Sequence, residues 1–109
     1  MNWTNWKELP SPEQCRGIEA PNGAGIYQLR NKKTDELVLF GISVTCRKRM
    51  KSLYPKPYGT GTRNNSGKRE YVLNNWQNIQ YRTLSTSDRD EAKRIEDEIK
   101  QKDNHIFNT

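Results

Sequence analysis

A shortage of large aliphatic side chains limits this chain to one small core. Leu, Ile, Val and Phe together supply only 19 of its 109 residues, a share below the rough one-fifth mark under which charged chains tend to stay disordered. Three Trp and five Tyr raise the number of large apolar or amphipathic side chains to 27, and aromatic rings bury more area than aliphatic chains do. The sequence therefore predicts a single, thinly packed domain with no second core.

Hydropathy and cysteine usage suggest the compartment. The chain has no apolar run near the ~18 residues of a membrane span, and its first residues show neither the basic nor the apolar region of a signal peptide. We therefore expect an intracellular, cytoplasmic protein with no membrane partner. Cys15 and Cys46 lack the spacing of a zinc site, and His105 cannot complete one with them. Structural zinc is not expected, and a disulfide is not indicated.

One acid-free segment carries the excess positive charge. The net charge is +6, yet the 83 residues outside positions 44–69 hold 11 basic and 13 acidic side chains. The segment 44–69 holds eight basic residues and no acidic one: Arg47, Lys48, Arg49, Lys51, Lys56, Arg63, Lys68 and Arg69. Gathered on one face, these side chains would suit a polyanion such as nucleic acid, whereas dispersed they would form an ordinary solvated surface.

The hydrophobic pattern predicts a small α+β domain. Residues 24–30 and 36–42 form a β-hairpin, and 79–84 form a third strand. Thr45 caps a helix in which Cys46, Met50 and Leu53 make one apolar stripe that ends before Pro55. A second helix spans 89–102, while 69–75 reads equally as a strand or a short helix. The prediction is a three-stranded antiparallel sheet flanked by helices, in the order β-β-α-β-α.

The first 23 residues differ in composition from the rest. They combine Trp3 and Trp6 with three prolines and an Asn22-Gly23 turn signal. We expect an irregular arm that packs on the domain formed by residues 24–109. The two tryptophans are expected to cover the core, although stacking on nucleic-acid bases is the alternative.

An unusual carboxylate accompanies the apolar stripe of the last helix. Ala92, Ile95 and Ile99 form that stripe, and Glu96 lies on or beside it. A carboxylate held against an apolar stripe usually has a partner, a metal or a shifted pKa. The simpler alternative is an edge glutamate that reaches solvent or pairs with Lys93 or Lys100.

These residues resemble the GIY-YIG nuclease family over positions 25–108. Gly25-Ile26-Tyr27 matches the first motif, and Leu39-Phe40-Gly41 stands in place of the second, keeping its glycine. Members commonly carry an arginine eight residues after that glycine, here Arg49, and an Ala with a Glu four residues later. An aromatic-Asn pair then follows, and the corresponding positions are Ala92, Glu96, Phe107 and Asn108.

The resemblance implies a metal-dependent DNA endonuclease. Glu96 would bind Mg²⁺ or Mn²⁺, for which a carboxylate is a suitable ligand. Arg49 would hold the scissile phosphate, and Tyr27, with a depressed phenol pKa, would orient or deprotonate the attacking water. Gly25, Gly41 and Asn108 would be structural or supporting residues. The basic segment would grip the DNA backbone, with weak or structure-directed specificity, and a homodimer on the substrate is left open.

Three positions depart from the family pattern. Leu39 replaces the second-motif tyrosine, Ile42 stands where many members carry a polar residue, and Leu53 replaces a His or Tyr. One alternative is therefore a catalytically lapsed module that binds nucleic acid or a partner protein through its basic face. A purely structural interaction protein is the other, and it predicts no salt-dependent binding of nucleic acid.

Overall fold

The computed structural model describes residues 3–54 and 66–107, which form an α+β domain around an antiparallel sheet. The sheet has four strands in the order β1-β4-β2-β3. The strands are β1 (Lys7–Glu8), β2 (Gly25–Asn31), β3 (Glu36–Ser43) and β4 (Ile79–Ser85), and the helices are α1 (Cys46–Lys51), α2 (Ser66–Asn75) and α3 (Arg89–Lys102). Short 3₁₀ turns lie at Pro12–Gly17 and Trp76–Asn78.

The sheet has four strands where the sequence predicts three, because the N-terminal arm supplies one. Lys7 and Glu8 pair antiparallel with β4, and the backbone N–H of Leu9 donates to the Ile79 carbonyl at 3.0 Å. On its other side β4 pairs with β2. The arm therefore satisfies backbone groups of β4 that the three-stranded prediction leaves at a sheet edge.

Residues 69–75, which the sequence leaves undecided, lie in α2. Helix α2 has little amphipathic patterning, and its contacts explain its position better than its sequence does. Val72 is fully buried in the core, and the Tyr71 ring meets the Phe107 ring edge-on at 5.7 Å. The Asn31 amide also donates to the Tyr71 hydroxyl at 3.0 Å. Tertiary packing thus holds this weakly patterned helix.

Helices cover both faces of the sheet. Alternate residues of β2 point to opposite faces. Tyr27 and Leu29 belong to a buried cluster with Met50 of α1 and Val72 of α2. Ile26 belongs to a second cluster, in which Phe40 and Leu84 pack against Ala92, Ile95 and Ile99 of α3. The predicted apolar stripe of α3 is therefore confirmed, as are the bounds of that helix.

The two helix caps behave differently. Asp88 caps α3, since its carboxylate accepts from the Glu91 N–H at 2.8 Å. Thr45 occupies the N-cap position of α1 as predicted, but its side chain caps no N–H of the helix. The free N–H groups of Cys46 and Arg47 donate instead to arm carbonyls, at 3.0 and 2.9 Å. The arm therefore fixes the start of α1.

Trp3 and Trp6 pack against arginines of the sheet. The Arg82 guanidinium lies 4.3 Å from the centre of the Trp3 ring and 4.7 Å from that of Trp6. Arg30 lies over the Trp6 ring at 4.3 Å, and Trp3 packs on the apolar cluster under α3.

In the described ranges, no helix has the length and apolar character to cross a membrane.

Candidate active site

The Tyr27 ring passes directly over Gly41 in the neighbouring strand. The two residues are paired in the β2–β3 register. A Cβ on Gly41 would lie 2.3 Å from the Tyr27 hydroxyl oxygen and 2.5 Å from the ring carbon that carries it. No other residue type therefore fits at position 41 without moving the ring. This contact links the first motif to the glycine of the second.

A cavity of about 290 Å³ lies beside Gly41 on the edge strand β3. Tyr27 approaches from the face covered by α1, and Glu96 approaches from the face covered by α3. The cavity brings together the three predicted catalytic residues and others, from five elements of the fold. It is lined by Tyr27, Phe40, Gly41, Ile42, Arg49, Lys68, Glu96 and Lys100.

Burial, rather than a nearby cation, dominates the ionisation of Tyr27. The residue is only 3% exposed, and this burial raises the pKa of its phenol. Arg49, whose guanidinium hydrogen-bonds with the phenol, acts in the opposite direction on the pKa but does not overcome burial. The expectation of a depressed phenol pKa is therefore wrong for the protein alone, because desolvation penalises the phenolate more than one arginine stabilises it.

Glu96 is buried and shared by two lysines of its own helix. Its side chain is 11% exposed, and its Oε1 atom lies 3.0 Å from Lys93 Nζ and 3.6 Å from Lys100 Nζ. The pairing with lysine that the sequence offered as an alternative is thus present. Both lysines lie one turn from Glu96 and are largely exposed, so each bridge can exchange with solvent. The carboxylate nevertheless lines the cavity, where it can accept another cation.

Cations outnumber anions around the cavity. Arg49, Lys68 and Lys100 line it together with Glu96 as the one acidic side chain among the lining residues. Arg49 and Lys68 line the same cavity, and burial together with the neighbouring Arg49 charge lowers the pKa of Lys68. An anion such as a phosphate would relieve their repulsion and bind by charge-assisted hydrogen bonds.

The donor set fits a divalent cation only in part. Residues 3–54 and 66–107 contain no group of three or more His, Cys, Asp or Glu side chains placed to hold a metal. Glu96 is a single hard-oxygen ligand. Mg²⁺ is commonly held by one or two carboxylates, with water and substrate phosphate completing its octahedron. The site therefore fits Mg²⁺ or Mn²⁺ best when a phosphate is also present.

The supporting glycine Gly25 has a clear packing reason. A Cβ there would lie 2.8 Å from the Leu84 carbonyl oxygen and 3.3 Å from the Pro21 ring, so a glycine lets β2 approach β4 and the arm. Phe107 packs on the Tyr71 ring of α2, and its N–H donates to the Val38 carbonyl at 2.8 Å. Asn108 lies outside the described residues.

The predicted nucleic-acid contacts separate into three groups. Lys48 is exposed on α1 and Lys51 is half-buried there, whereas Arg47 donates to the Arg16 carbonyl at 2.7 Å and thereby ties the arm to α1. On α2, Lys68 lines the cavity and Arg69 is half-buried. Two predicted contacts, Lys56 and Arg63, lie outside the described residues.

Sequence reasoning does not assign a site role to Lys100 or to the apolar wall of the cavity. Its spacing of four residues from Glu96 predicts only that Lys100 can pair with the carboxylate, not that it lines a cavity. Phe40 and Ile42 line the cavity beside the glycine between them. These two residues line the cavity because β3 is an edge strand of the sheet, and the order of strands in a sheet cannot be read from local sequence.

Comparison of the chain with protein-family models, with curated proteins and with solved structures finds no match.

Proposed function

We propose that this protein is a metal-dependent endonuclease that hydrolyses phosphodiester bonds in DNA, with a GIY-YIG-like arrangement of its domain. One observation carries the proposal. Tyr27, Arg49 and Glu96 are far apart in the sequence, yet all three line one cavity with an excess of positive charge. The packing of Tyr27 on Gly41 adds support, because it explains physically why the two motif residues occur together.

In the proposed mechanism the basic side chains bind the phosphate and the acidic side chain binds the metal. Arg49, with Lys68 beside it, holds the scissile phosphate and stabilises the charge that develops on its oxygens. The Tyr27 hydroxyl, kept protonated by burial, orients Arg49 and the attacking water rather than accepting a proton. Glu96 would hold Mg²⁺ or Mn²⁺, which supplies charge neutralisation and Lewis acidity at the phosphate.

The proposed setting is inside the cell, with DNA as the partner. The two cysteines of the chain are buried thiols that form no disulfide, as is common in reducing compartments. Hydrolysis of both strands of a duplex needs two sites or two binding events, which a homodimer on the substrate would provide. The proposal requires only one site for nicking.

A nicking assay with a matched pair of variants tests the proposal. Supercoiled plasmid is incubated at low salt with Mg²⁺, with Mn²⁺ and with chelator, using wild type, Glu96→Gln and Glu98→Gln. Glu98 is exposed on the same helix, two residues from Glu96, so its variant removes the same charge outside the cavity. We expect metal-dependent nicking by wild type and Glu98→Gln, and none by Glu96→Gln, which should still bind DNA. Nicking that survives Glu96→Gln or the chelator would refute the metal assignment.

A second candidate is a module that binds nucleic acid or a partner protein through the same basic face without cutting. Leu39 favours it, because this replacement of the second-motif tyrosine is fully buried in the core and offers no hydroxyl to the cavity. This candidate predicts salt-sensitive binding with no metal-dependent strand breaks. Absence of nicking by wild type on plasmid and on branched substrates would refute the endonuclease proposal and favour the module.

A further inference from the structure

Two further clefts continue the cavity along α1. The first, of about 300 Å³, is lined by Ser43, Thr45, Lys48, Arg49 and Ser52. The second, of about 420 Å³, is lined by Asn22, Thr45, Arg47, Lys48 and Lys51. Arg49 is a wall shared by the cavity and the first cleft, and Thr45 and Lys48 are walls shared by the two clefts. Neighbouring spaces in this series therefore share walls, and we call the two clefts beside α1 the α1 groove.

The lining of the α1 groove has the chemistry of a phosphate-binding surface. Its residues offer ammonium or guanidinium groups, hydroxyls and one amide, and neither cleft has an acidic lining residue. Neither lining contains an aromatic ring on which an unpaired base could stack. Contacts of this kind position a sugar-phosphate backbone without reading base edges.

Hydrogen bonds to the N-terminal arm occupy some of the donor groups of α1 and leave others available to a ligand. The first free N–H groups of α1 donate to the Gly23 and Pro21 carbonyls, and the Arg47 guanidinium donates to the Arg16 carbonyl. These groups hold the arm against the helix. Lys48 lines both clefts and Lys51 lines the second, so these two side chains supply the charge for a ligand.

We propose that the α1 groove holds one backbone strand of duplex DNA next to the phosphate bound in the cavity, with Lys48 and Lys51 each contacting one phosphate. The choice of DNA rests on the proposed function. The inference adds the path of the substrate strand over the protein, and it assigns Thr45 and Asn22 to that path as uncharged walls. Binding through the α1 groove is independent of base sequence.

Equilibrium binding without cleavage tests the α1 groove. A short DNA duplex is titrated at several salt concentrations in chelator, with fluorescence anisotropy as the readout. The groove variant is Lys48→Gln/Lys51→Gln. The control is Lys32→Gln/Lys33→Gln, which removes the same charge from the exposed β2–β3 turn, about 20 Å along the strands from α1.

The groove variant should bind the duplex more weakly, and the slope of log affinity against log salt should flatten by about 2, since each lost phosphate contact contributes about 0.9. The control should keep the wild-type slope. Equal slopes for the two double variants would overturn the inference, as would tighter binding of the single strand than of the duplex. Circular dichroism spectra that match the wild-type spectrum are required of both variants, so that a loss of binding is not a loss of fold.

The binding and nicking experiments fail separately. One outcome is that wild type binds DNA without ever nicking it while the salt slope of binding flattens only for the groove variant. In that case the proposed function is wrong and the α1 groove is supported. If Glu96→Gln abolishes nicking while the groove variant behaves like its control, the endonuclease stands and the α1 groove is wrong.

Discussion

Gly41→Ala is expected to displace Tyr27 and so damage both stability and the cavity. The new Cβ would lie 2.3, 2.5 and 2.9 Å from three atoms at the phenol end of the Tyr27 ring, whereas ordinary contact begins near 3.4 Å. The ring must therefore retreat by about 1 Å, and it is buried among core side chains that leave little space. Overpacking of this kind lowers the free energy of unfolding by about 1–3 kcal/mol.

The same displacement should reduce nicking more than it reduces DNA binding. The Tyr27 hydroxyl hydrogen-bonds with Arg49, so moving the ring also moves the group proposed to hold the phosphate. A misplacement of about 1 Å can slow a reaction by about 10²-fold. The phosphate contacts assigned to Lys48 and Lys51 do not involve the Tyr27 ring, so most of the DNA affinity should remain.

A double-mutant cycle isolates the contact between the two residues. Tyr27→Phe keeps the two ring carbons nearest to position 41, so Gly41→Ala should remain destabilising in that background. Tyr27→Leu removes all three clashing atoms. There Gly41→Ala should be neutral or stabilising by about 0.4–1 kcal/mol, because alanine restricts the unfolded chain and Gly41 has no positive φ. Urea unfolding followed by tryptophan fluorescence measures each corner of the cycle. An equal loss in the Tyr27→Leu and wild-type backgrounds would refute the reasoning.

Three other predictions concern Glu96, His105 and Arg82. Lys93→Gln/Lys100→Gln should raise the Mn²⁺ affinity of Glu96, because the two lysines compete with the metal for the carboxylate. The gain should be less than about tenfold, since exposed ion pairs are weak. Electron paramagnetic resonance measures Mn²⁺ binding, and unchanged or weaker binding would contradict this competition. Burial lowers the pKa of His105 below its usual 6.5, so the unfolded chain binds its proton first and stability should fall as pH drops below about 6.5. In urea titrations across that range His105→Gln should flatten the loss, and an equally steep loss would assign it to other groups. Arg82→Gln should destabilise the domain by about 1–3 kcal/mol through lost contacts with both arm tryptophans and Gln28, and a thermal midpoint equal to that of wild type would show that the arm does not depend on it.

Local pattern was sufficient for the regular parts of the domain. Alternation of apolar residues located β2, β3 and β4 to within a residue or two, and the bounds of α3 agree with those observed. The helical spacing of Ala92, Ile95 and Ile99 also placed Glu96 at the buried face of α3. These features depend on residues within a few positions of one another, so a single sequence contains them.

Other features depended on partners distant in the chain. Nothing in the two residues of β1 marks them as a strand until β4 lies beside them, and residues 69–75 have no decisive period, so their helix follows from the burial of Val72 and the ring contact of Tyr71. The basic count could not distinguish Arg47, which binds an arm carbonyl, from Lys48, which faces a cleft.

The sequence by itself determined three of the four strands (β2, β3 and β4), the last helix and the residue types proposed for the site. Only the tertiary structure decided that Tyr27 crosses Gly41, that Arg49 and Glu96 reach one cavity from different faces of the sheet, and that burial raises the phenol pKa. The physical reason is that periodicity reports which side of its own element a residue occupies. Solvent access and electrostatic environment are set by elements that fold against it from elsewhere in the chain.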